Sequence, residues 1–423
     1  MNIYVLLPIL VSSIVSLLAV HWIYFKILKI AKVKNLVDNP DARKLQKAPV
    51  PVVGGIAVFF GVAFGVLAGT VLQFAFNQEV TDANIYFTST RLIPVVLAMV
   101  IMLYTGTMDD IVGLTPLSRI VIETLVILCM IFSTGLCIDS LHGLWGIYDF
   151  SWWIGVPLTI LTGVGIVNAV NMVDGVNGLS SGLCITCSIL FGIAFLFKGD
   201  VVNAMLSFCM ASSLFLFFVH NVFGDKSRMF IGDAGTMVMG VLMTWFVIYI
   251  VTDDITTYSV SSKICSPAMV LAFLSVPVFD TLRVMTMRIK NGHSPFSPDK
   301  THLHHAFVAI GISHSITALS VILINLAIVT VWVVMVFVGA PLQCQLYAVI
   351  LTSVLLVWGT YVFLVHENTS DSRKAQWLRS FSVKTHLGRT DWWKAFTRFL
   401  DAPELDENGS RHLFERLKRK FMN

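Results

Sequence analysis

Long apolar runs separated by short polar segments make up the chain from its first residues to about residue 365. A run of about 18 or more apolar residues is long enough to cross the hydrocarbon core of a bilayer as a helix. The pattern therefore predicts an all-α polytopic membrane protein with about eleven transmembrane helices. The predicted spans cover residues 3–27, 52–74, 92–108, 118–136, 153–170, 178–197, 201–220, 236–252, 266–285, 317–339 and 344–365.

The composition agrees with a membrane protein. Of the 423 residues, 56% are hydrophobic and 13% are charged, whereas about 25% of residues are charged in an average soluble protein. The first run has no basic segment before it and no small-residue cleavage site after it. We therefore expect a retained helix and not a signal peptide. The segment 410–421 is basic and amphipathic, which is typical of a helix that lies on anionic lipid.

Basic residues predict the orientation, because Lys and Arg in short loops remain on the cytoplasmic side of a membrane. If the N-terminus is outside, the outer loops contain Arg91, Lys198 and Lys263, and the other 26 of the 29 basic residues lie on the inner side. Twelve of those 26 follow residue 365, where the rule is weaker, and the remaining 14 still outnumber the three outer ones. We expect an outer N-terminus, a transmembrane domain over residues 1–365 and a cytoplasmic tail over residues 366–423.

Four short polar islands interrupt the apolar pattern, and each lies at the end of a predicted span. They are Asp109-Asp110, Asn168–Gly175, Gly232–Gly235 and His302–His305. In the predicted orientation all four fall on the inner side. A single Asp at a helix end is often explained by hydration alone, but the acids of the outer loops lack companion Gly, Asn or His residues. The clustering therefore favours one shared site on the inner face.

The carboxylates of these islands point to a divalent cation. The adjacent Asp109 and Asp110 repel each other unless a positive charge relieves them. Mg²⁺ takes oxygen ligands and is usually held by one or two carboxylates together with substrate phosphates and water. Asp174 and Asp233 offer further oxygens, and the glycines beside them allow the backbone to approach a phosphate closely. The sequence thus predicts a metal-dependent pyrophosphate site.

The histidine island has three interpretations. Zinc binding is one, but His302, His304 and His305 have a spacing that does not readily give three convergent nitrogens, and no cysteine is near. A structural histidine cluster is another. We favour the third, in which the imidazoles and Lys300 donate hydrogen bonds to phosphate oxygens.

Two other pairs have an ordinary structural explanation. Asp280 and Arg283 are three residues apart near the inner end of the ninth span, which favours an ion pair, with a phosphate-binding arginine as the alternative. Cys184 and Cys187 form a C-x-x-C inside an apolar span, where we expect them to pack between helices.

Together these motifs resemble the polyprenyl-phosphate N-acetylhexosamine-1-phosphate transferases, a superfamily of glycosyltransferase family 4 type with WecA-like and MraY-like branches. The resemblance runs from about residue 36 to 310, and the His-x-His-His form is similar to the WecA-like branch. Its motifs are 38–44 (DNPDARK), 49–51 with Gly54-Gly55, Asp109-Asp110, 168–178, 230–235 (FIGDAG), 277–283 (PVFDTLR) and 294–305.

The resemblance implies an enzyme that transfers a sugar-1-phosphate of the N-acetylhexosamine type from a UDP-sugar to undecaprenyl phosphate. UMP is released, Mg²⁺ or Mn²⁺ is required, and the product begins a cell-envelope glycan such as a lipopolysaccharide or another polysaccharide. The implied location is the bacterial inner membrane, with the active site of the transmembrane domain facing the cytoplasm. The expected partners are the two substrates and membrane lipid, without nucleic acid, and a homodimer is left open.

The resemblance also implies roles for individual residues. Asp233 is expected to ligate the metal, with Asp109 and Asp110 on the lipid-phosphate or metal side, and His302, His304 and His305 are expected to hold the pyrophosphate. Phe230 matches a position that stacks on uracil. The predicted substrate-binding residues are Lys44, Asn168, Asn171, Asp174, Asn177, Phe230, Arg283 and Lys300.

Some positions depart from the family pattern. Gln46 replaces a usual His, Val52 a usual Arg, and Asn177 a common Asp. Arg119 and Glu123 occupy positions that usually hold Lys and Gln. Two other functions remain as alternatives: a phospho-MurNAc-pentapeptide transferase reaction, and a secondary transporter, which would need ionisable residues near the bilayer midplane.

Overall fold

The computed structural model describes residues 3–38, 49–76, 82–252, 264–295, 297, 301–370, 372–386 and 390–405. Lys44, Gln46, Lys300 and the predicted amphipathic segment after residue 410 lie outside these ranges. The described helices are α1 Ile3–Val33, α2 Gly54–Phe76, α3 Asp82–Val112, α4 Pro116–Thr134, α5 Trp152–Met172, α6 Leu179–Lys198, α7 Val201–Phe223, α8 Gly232–Thr252, α9 Ser266–Phe273, α10 Ser275–Lys290, α11 Leu303–Ala309, α12 His314–Phe337, α13 Leu342–Ser353, α14 Gly359–Thr369, α15 Arg373–Lys384 and α16 Asp391–Leu405.

The helices confirm the predicted multi-pass architecture. In the part of the chain that the structure describes, ten continuous helical stretches are long and apolar enough to cross a membrane, and the bent pair of α9 and α10 brings the total to 11. The last span runs through α13, a π-helical turn at Val354–Trp358, and α14. The chain is therefore a multi-pass membrane protein whose spans match the apolar runs of the sequence.

The α8 helix lies at the centre of the bundle, because its membrane-spanning stretch is entirely buried inside the protein. It packs against α3, α5 and α2. Inside an apolar bundle a polar group needs a partner, and Trp245 Nε1 donates to Asn203 Oδ1 at 2.8 Å. The first residues of α8 carry the third polar island, so the most buried helix begins at the candidate site.

The ninth predicted span is broken, with an angle of 80° between α9 and α10. Pro277 has no N–H to donate to Phe273, four residues earlier, which is the usual reason for a break. The Phe273 carbonyl instead accepts from Asn325 Nδ2 at 3.1 Å and from Cys187 Sγ at 3.0 Å. Asn325 Oδ1 in turn accepts from the Val276 amide at 3.2 Å. A polar side chain on α12 thus replaces the lost helical hydrogen bonds.

Short strands occur at both ends of the bundle. β1 Val37–Asp38 pairs with β2 Val50–Pro51 near the candidate site, and β3 Ser140–Leu144 pairs with β4 Ile147–Asp149 at the opposite end. Both pairs are antiparallel. After the last span, α15 and α16 extend the chain along the same end as the site, where they contact its loops.

Candidate active site

A cavity of about 1030 Å³ lies where α3, α5, α8 and α11 end or begin, and residues from all four polar islands line it. The ends of separate spans that carry the islands therefore converge, as the sequence pattern predicts. The lining residues named from the sequence are Asp109, Asp110, Asn168, Asn171, Asp174, Asn177, Phe230, Asp233, His302, His304 and His305.

Small residues allow α3 to touch the start of α8. A Cβ on Gly106 would lie 2.4 Å from the Asp233 carbonyl oxygen, so only glycine permits this approach. Gly232 has a φ of 70°, a conformation that favours glycine. The Asp110 carboxylate accepts hydrogen bonds from the Asp233 amide at 2.9 Å and the Ala234 amide at 3.1 Å. It thereby caps the N-terminus of α8, where free amides need an acceptor.

Asp233 is held in the cavity by side chains from two helices. Its Oδ1 accepts from Asn171 Nδ2 at 2.6 Å, and the same nitrogen approaches Thr236 Oγ1 at 2.7 Å. The negative charges of Asp109, Asp110 and Asp174 all interact with that of Asp233. Asp233 therefore lies within electrostatic range of three other carboxylates, and that arrangement is unfavourable without positive charge.

Asp109 is engaged on both of its oxygens. Oδ1 accepts from the Leu114 amide at 2.7 Å, and Oδ2 lies 2.9 Å from Arg119 Nη1. One turn after Arg119, the buried Glu123 accepts from Asn168 Nδ2 at 2.6 Å. Arg119 and Glu123, two of the positions that depart from the family pattern, therefore orient Asp109 and Asn168.

Asp174, in the second polar island, lines the cavity and accepts a hydrogen bond from Ser180 Oγ at 2.5 Å. Gly175, next to it, contacts the histidine island. A Cβ on Gly175 would lie 2.3 Å from His304 Nε2. The second and fourth islands therefore touch each other directly.

The histidines differ in their surroundings. His302 Nδ1 lies 3.0 Å from Asp280 Oδ2, and the Leu303 amide also donates to this carboxylate, at 3.1 Å from Oδ1. Burial, followed by the neighbouring His305 and His302, holds the pKa of His304 well below its usual range. His304 is therefore a neutral imidazole near pH 7, which offers a hydrogen bond and not a charge. Among the described residues, its Nε2 has no hydrogen-bond partner.

Among the described residues, Arg283 is not one that lines the cavity, and its substrate-binding role stays a prediction. Its Nη2 is 2.7 Å from Asp280 Oδ1 and donates to the Thr301 carbonyl at 2.5 Å. The guanidinium lies 3.6 Å from the centre of the Tyr361 ring. Arg283 therefore acts through Asp280 on the loop that carries the histidines, as the ion-pair interpretation predicts.

Three basic residues line the cavity that sequence reasoning did not single out: Arg228, Arg288 and His314. Arg228 lies four residues before Gly232, in the loop between α7 and α8, and this nearness to the third island is a signal that could have identified it. Arg288 donates to the Pro295 carbonyl at 2.6 Å. Val52, where the family usually has Arg, also lines the cavity, and Arg228 and Arg288 supply positive charge to the same lining.

The donor set of the cavity fits a hard divalent cation. Among the described residues, no three His, Cys, Asp or Glu side chains already converge as a metal site. Mg²⁺ needs fewer protein ligands than that, because water and substrate phosphates complete its octahedron. Asp233 is the best-placed ligand, since it lies among the other carboxylates. Both Asp110 oxygens are already bonded to α8 amides, which gives Asp110 a positioning role beside its predicted metal role.

Comparison with known proteins gives a consistent result. The family model described as "Glycosyl transferase family 4" matches residues 92–251. A Bacillus subtilis (strain 168) protein named "Probable undecaprenyl-phosphate N-acetylglucosaminyl 1-phosphate transferase" is 31% identical over 76% of this chain and 83% of its own length. Proteins named "Undecaprenyl-phosphate alpha-N-acetylglucosaminyl 1-phosphate transferase" are 28% identical in Yersinia pestis and 29% identical in Escherichia coli (strain K12). Each match covers 67% of this chain and 72% of the relative.

Proposed function

The chain belongs to glycosyl transferase family 4, and from this premise we propose that it transfers a sugar-1-phosphate of the N-acetylhexosamine type from a UDP-sugar to undecaprenyl phosphate. UMP leaves, and the lipid-linked sugar begins a cell-envelope glycan. The observation that carries the proposal is the cavity at the ends of the spans, in which the carboxylates of the polar islands share the lining with basic and imidazole side chains. A site that must hold two phosphate-bearing substrates beside a membrane needs this combination of charges.

The acceptor needs little help from a general base. A phosphate monoester has a second pKa of about 6, so the lipid phosphate is mostly dianionic near pH 7. The main barrier is the repulsion between this dianion and the pyrophosphate of the sugar nucleotide. Arg119, Arg228 and Arg288 bring positive charge to the cavity, and preorganised charges of this kind stabilise the transition state.

We propose direct displacement. An oxygen of the lipid phosphate forms a bond to the sugar-bearing β-phosphorus while the bond from that phosphorus to the bridging oxygen breaks, and UMP departs with the electron pair. Asn171 orients Asp233, and Phe230 faces the cavity where uracil would stack. His304 can donate one hydrogen bond to the pyrophosphate. A bound Mg²⁺ or Mn²⁺, held by Asp233 with Asp109 or Asp174, would neutralise phosphate charge.

We further propose that the cavity faces the cytoplasm of a bacterial inner membrane. The support is the distribution of basic residues and the need for a nucleotide sugar, which carries too much charge to cross a bilayer unaided. The His-x-His-His island, which resembles the WecA-like branch, favours an N-acetylhexosamine over phospho-MurNAc-pentapeptide as the transferred group.

The direct test is metal-dependent UMP release by the purified protein in lipid nanodiscs. The panel contains UDP-GlcNAc, UDP-GalNAc, a UDP-deoxyamino sugar and UDP-MurNAc-pentapeptide, each with and without undecaprenyl phosphate. We expect release from one of the amino sugars only when both the lipid and Mg²⁺ or Mn²⁺ are present. No release from any member of the panel would overturn the proposed function.

A further inference from the structure

The loop between α7 and α8, residues 224–231, is held from outside the bundle by Asp401 of α16. The Asp401 carboxylate accepts hydrogen bonds from the amides of Asp225 at 3.2 Å, Lys226 at 3.1 Å and Ser227 at 3.0 Å. It also accepts from the Ser227 hydroxyl at 2.7 Å. Three consecutive amides and a hydroxyl therefore converge on one carboxylate, although Asp401 is more than 170 residues away along the chain.

The arrangement is that of a backbone anion nest filled by a side chain. Asp401 is only 5% exposed, so its hydrogen bonds are shielded from water. Burial alone would raise the pKa of Asp401, but the hydrogen bonds from Ser227 and the neighbouring amides outweigh it and hold the pKa below its usual range. The carboxylate is therefore charged near neutral pH, and charge-assisted bonds to it are stronger than neutral ones.

α16 has a separate attachment to the end of α7. Thr397 Oγ1 donates to the Phe223 carbonyl at 2.8 Å. The ring of Phe223 lies 4.6 Å from that of Trp393 and 5.3 Å from that of Phe396, measured between centroids. Removal of the Asp401 charge should therefore leave α16 docked and release only the loop.

Hydrogen bonds connect this loop to residues that line the cavity. The Ser227 carbonyl accepts from Tyr24 Oη at 2.8 Å, and Asn221 Nδ2 donates to the Met229 carbonyl at 2.7 Å. Asn221 Oδ1 accepts from the Gly178 amide at 2.6 Å, which ties the loop to the turn that follows the second polar island. The next residue after Met229 is Phe230, whose amide donates to the Pro51 carbonyl at 2.8 Å.

We propose that Asp401 is a positioning residue for the reaction: by filling the amide nest at 225–227, it orders the loop that places Phe230 and the start of α8 in the cavity. The tail helix α16 is then a functional part of the site and not only an appendage on the membrane surface. The expectation that UDP-sugar binding is affected rests on the proposed function. The ordering of the loop by Asp401 does not rest on it.

The test compares full-length wild type with Asp401→Asn in lipid nanodiscs. In Asp401→Asn the side-chain NH₂ group replaces one carboxylate oxygen, and this donor would face the backbone N–H donors of the loop. We therefore expect hydrogen exchange at residues 225–227 to become about tenfold faster or more. We also expect the KM for the UDP-sugar to rise about tenfold or more. The KM for undecaprenyl phosphate should change less than that for the UDP-sugar, because Asp109 and Asp110 lie on α3 and contact the loop only through the start of α8.

Asp391→Asn is the matched control. Asp391 is on the same helix, its side chain is fully exposed, and its one ion pair is a 3.7 Å contact with Lys394. The control should match wild type in exchange and in both KM values. Ser227→Ala provides a milder change if Asp401→Asn does not fold, because it removes one of the four hydrogen bonds, and we expect a rise of about threefold in the same KM.

Unchanged exchange at 225–227 in Asp401→Asn would overturn the proposal. Faster exchange with an unchanged KM for the UDP-sugar would overturn it as well. That result would show that Asp401 orders the loop but that the order of the loop does not affect the site. A wild type that consumes no UDP-sugar would instead refute the proposed function, and the exchange measurement would still decide whether Asp401 orders the loop.

Discussion

At the scale of single residues, Asp233 is the carboxylate whose charge interacts with those of Asp109, Asp110 and Asp174. Asp109 is compensated by Arg119 at 2.9 Å, and Asp110 by two α8 amides. Asp233 accepts the Asn171 amide hydrogen bond at 2.6 Å and also interacts with the positive charge of Arg119. Because Arg119 makes its close contact with Asp109, the Asp233 carboxylate is available to a cation.

Asp233→Asn should lower UMP release by at least about a hundredfold, because a loss of transition-state charge stabilisation has effects of that size. The protein should still fold, since an asparagine oxygen can accept the Asn171 hydrogen bond. Asp149→Asn, the same change at an exposed position of β4 at the opposite end of the bundle, is the control and should leave activity unchanged. Near-normal release by Asp233→Asn at saturating Mg²⁺ would contradict the ligand assignment.

Asp109 is the residue that would carry a covalent phosphate in a two-step mechanism. Its Oδ1 accepts a hydrogen bond from the Leu114 amide and its Oδ2 forms an ion pair with Arg119, and both interactions lower its nucleophilicity. We therefore expect no exchange of labelled UMP into the UDP-sugar when undecaprenyl phosphate is absent. Lipid-independent exchange that disappears in Asp109→Asn would establish the two-step route instead.

Gly175 offers a test of the contact between the second and fourth islands. In Gly175→Ala the new Cβ would lie 2.3 Å from His304 Nε2, and His304 is only 2% exposed, so its ring must move. Overpacking of this kind costs about 1–3 kcal/mol, and we expect activity to fall by about tenfold or more. Gly165→Ala, on α5 with no atom within 4 Å of the added Cβ, is the control. Equal activities for the two variants would show that the position of His304 is unimportant.

At the scale of elements, Asn325 replaces the backbone bonds lost at the α9–α10 break. Asn325→Leu would leave the Phe273 carbonyl and the Val276 amide without this partner inside the bundle. We expect a loss of about 2 kcal/mol or more of unfolding free energy, seen as a lower melting temperature in nanodiscs. Thr330→Val, at an exposed position on the same helix, should leave the melting temperature unchanged.

The break also shows the limits of the sequence pattern. Hydropathy predicts one span over residues 266–285, since both α9 and α10 are apolar where they lie in the membrane. Pro277 is visible in the sequence, but proline occurs inside other spans without a break, as Pro94 does in α3. The partner that makes the break stable is Asn325, which is on another helix, so no local pattern could have revealed it.

At the scale of the whole molecule, the spans and the convergence of the four islands could be predicted, because both follow from counting crossings along an apolar chain. The orientation of side chains within the cavity could not. Arg283 lies in a matching motif, yet its guanidinium turns to Asp280 and Tyr361. Such choices depend on contacts between residues far apart in the sequence.

The tail helices α15 and α16 contact two parts of the site that no local sequence pattern connects. Asp401 holds the loop before α8. Thr385 Oγ1 accepts a hydrogen bond from the Ser313 amide at 3.0 Å, shortly after the histidine helix α11. The described helices of the predicted tail, residues 366–423, therefore contact the loop before the third island and the turn after the fourth island at the same end of the bundle.

The orientation of the whole bundle remains a prediction, and the cysteines provide a sharp test. Five of the seven native cysteines are buried, and only Cys129 and Cys344 are exposed. With both replaced by Ser, a cysteine at Asn291 should resist a membrane-impermeant thiol reagent in intact cells and react after permeabilisation. A cysteine at Asn84 should react in intact cells, as should native Cys344 when it is retained.

The physical reason is the charge distribution, because the opposite orientation would place 14 basic loop and helix-end residues outside and only three inside, even without the tail. Asn291 follows α10 at the cavity end, and Cys344 begins the last span at the other end. Labelling of Asn291→Cys from outside would place the cavity on the outer face, where no nucleotide sugar is available, and the proposed reaction would then lose its donor substrate.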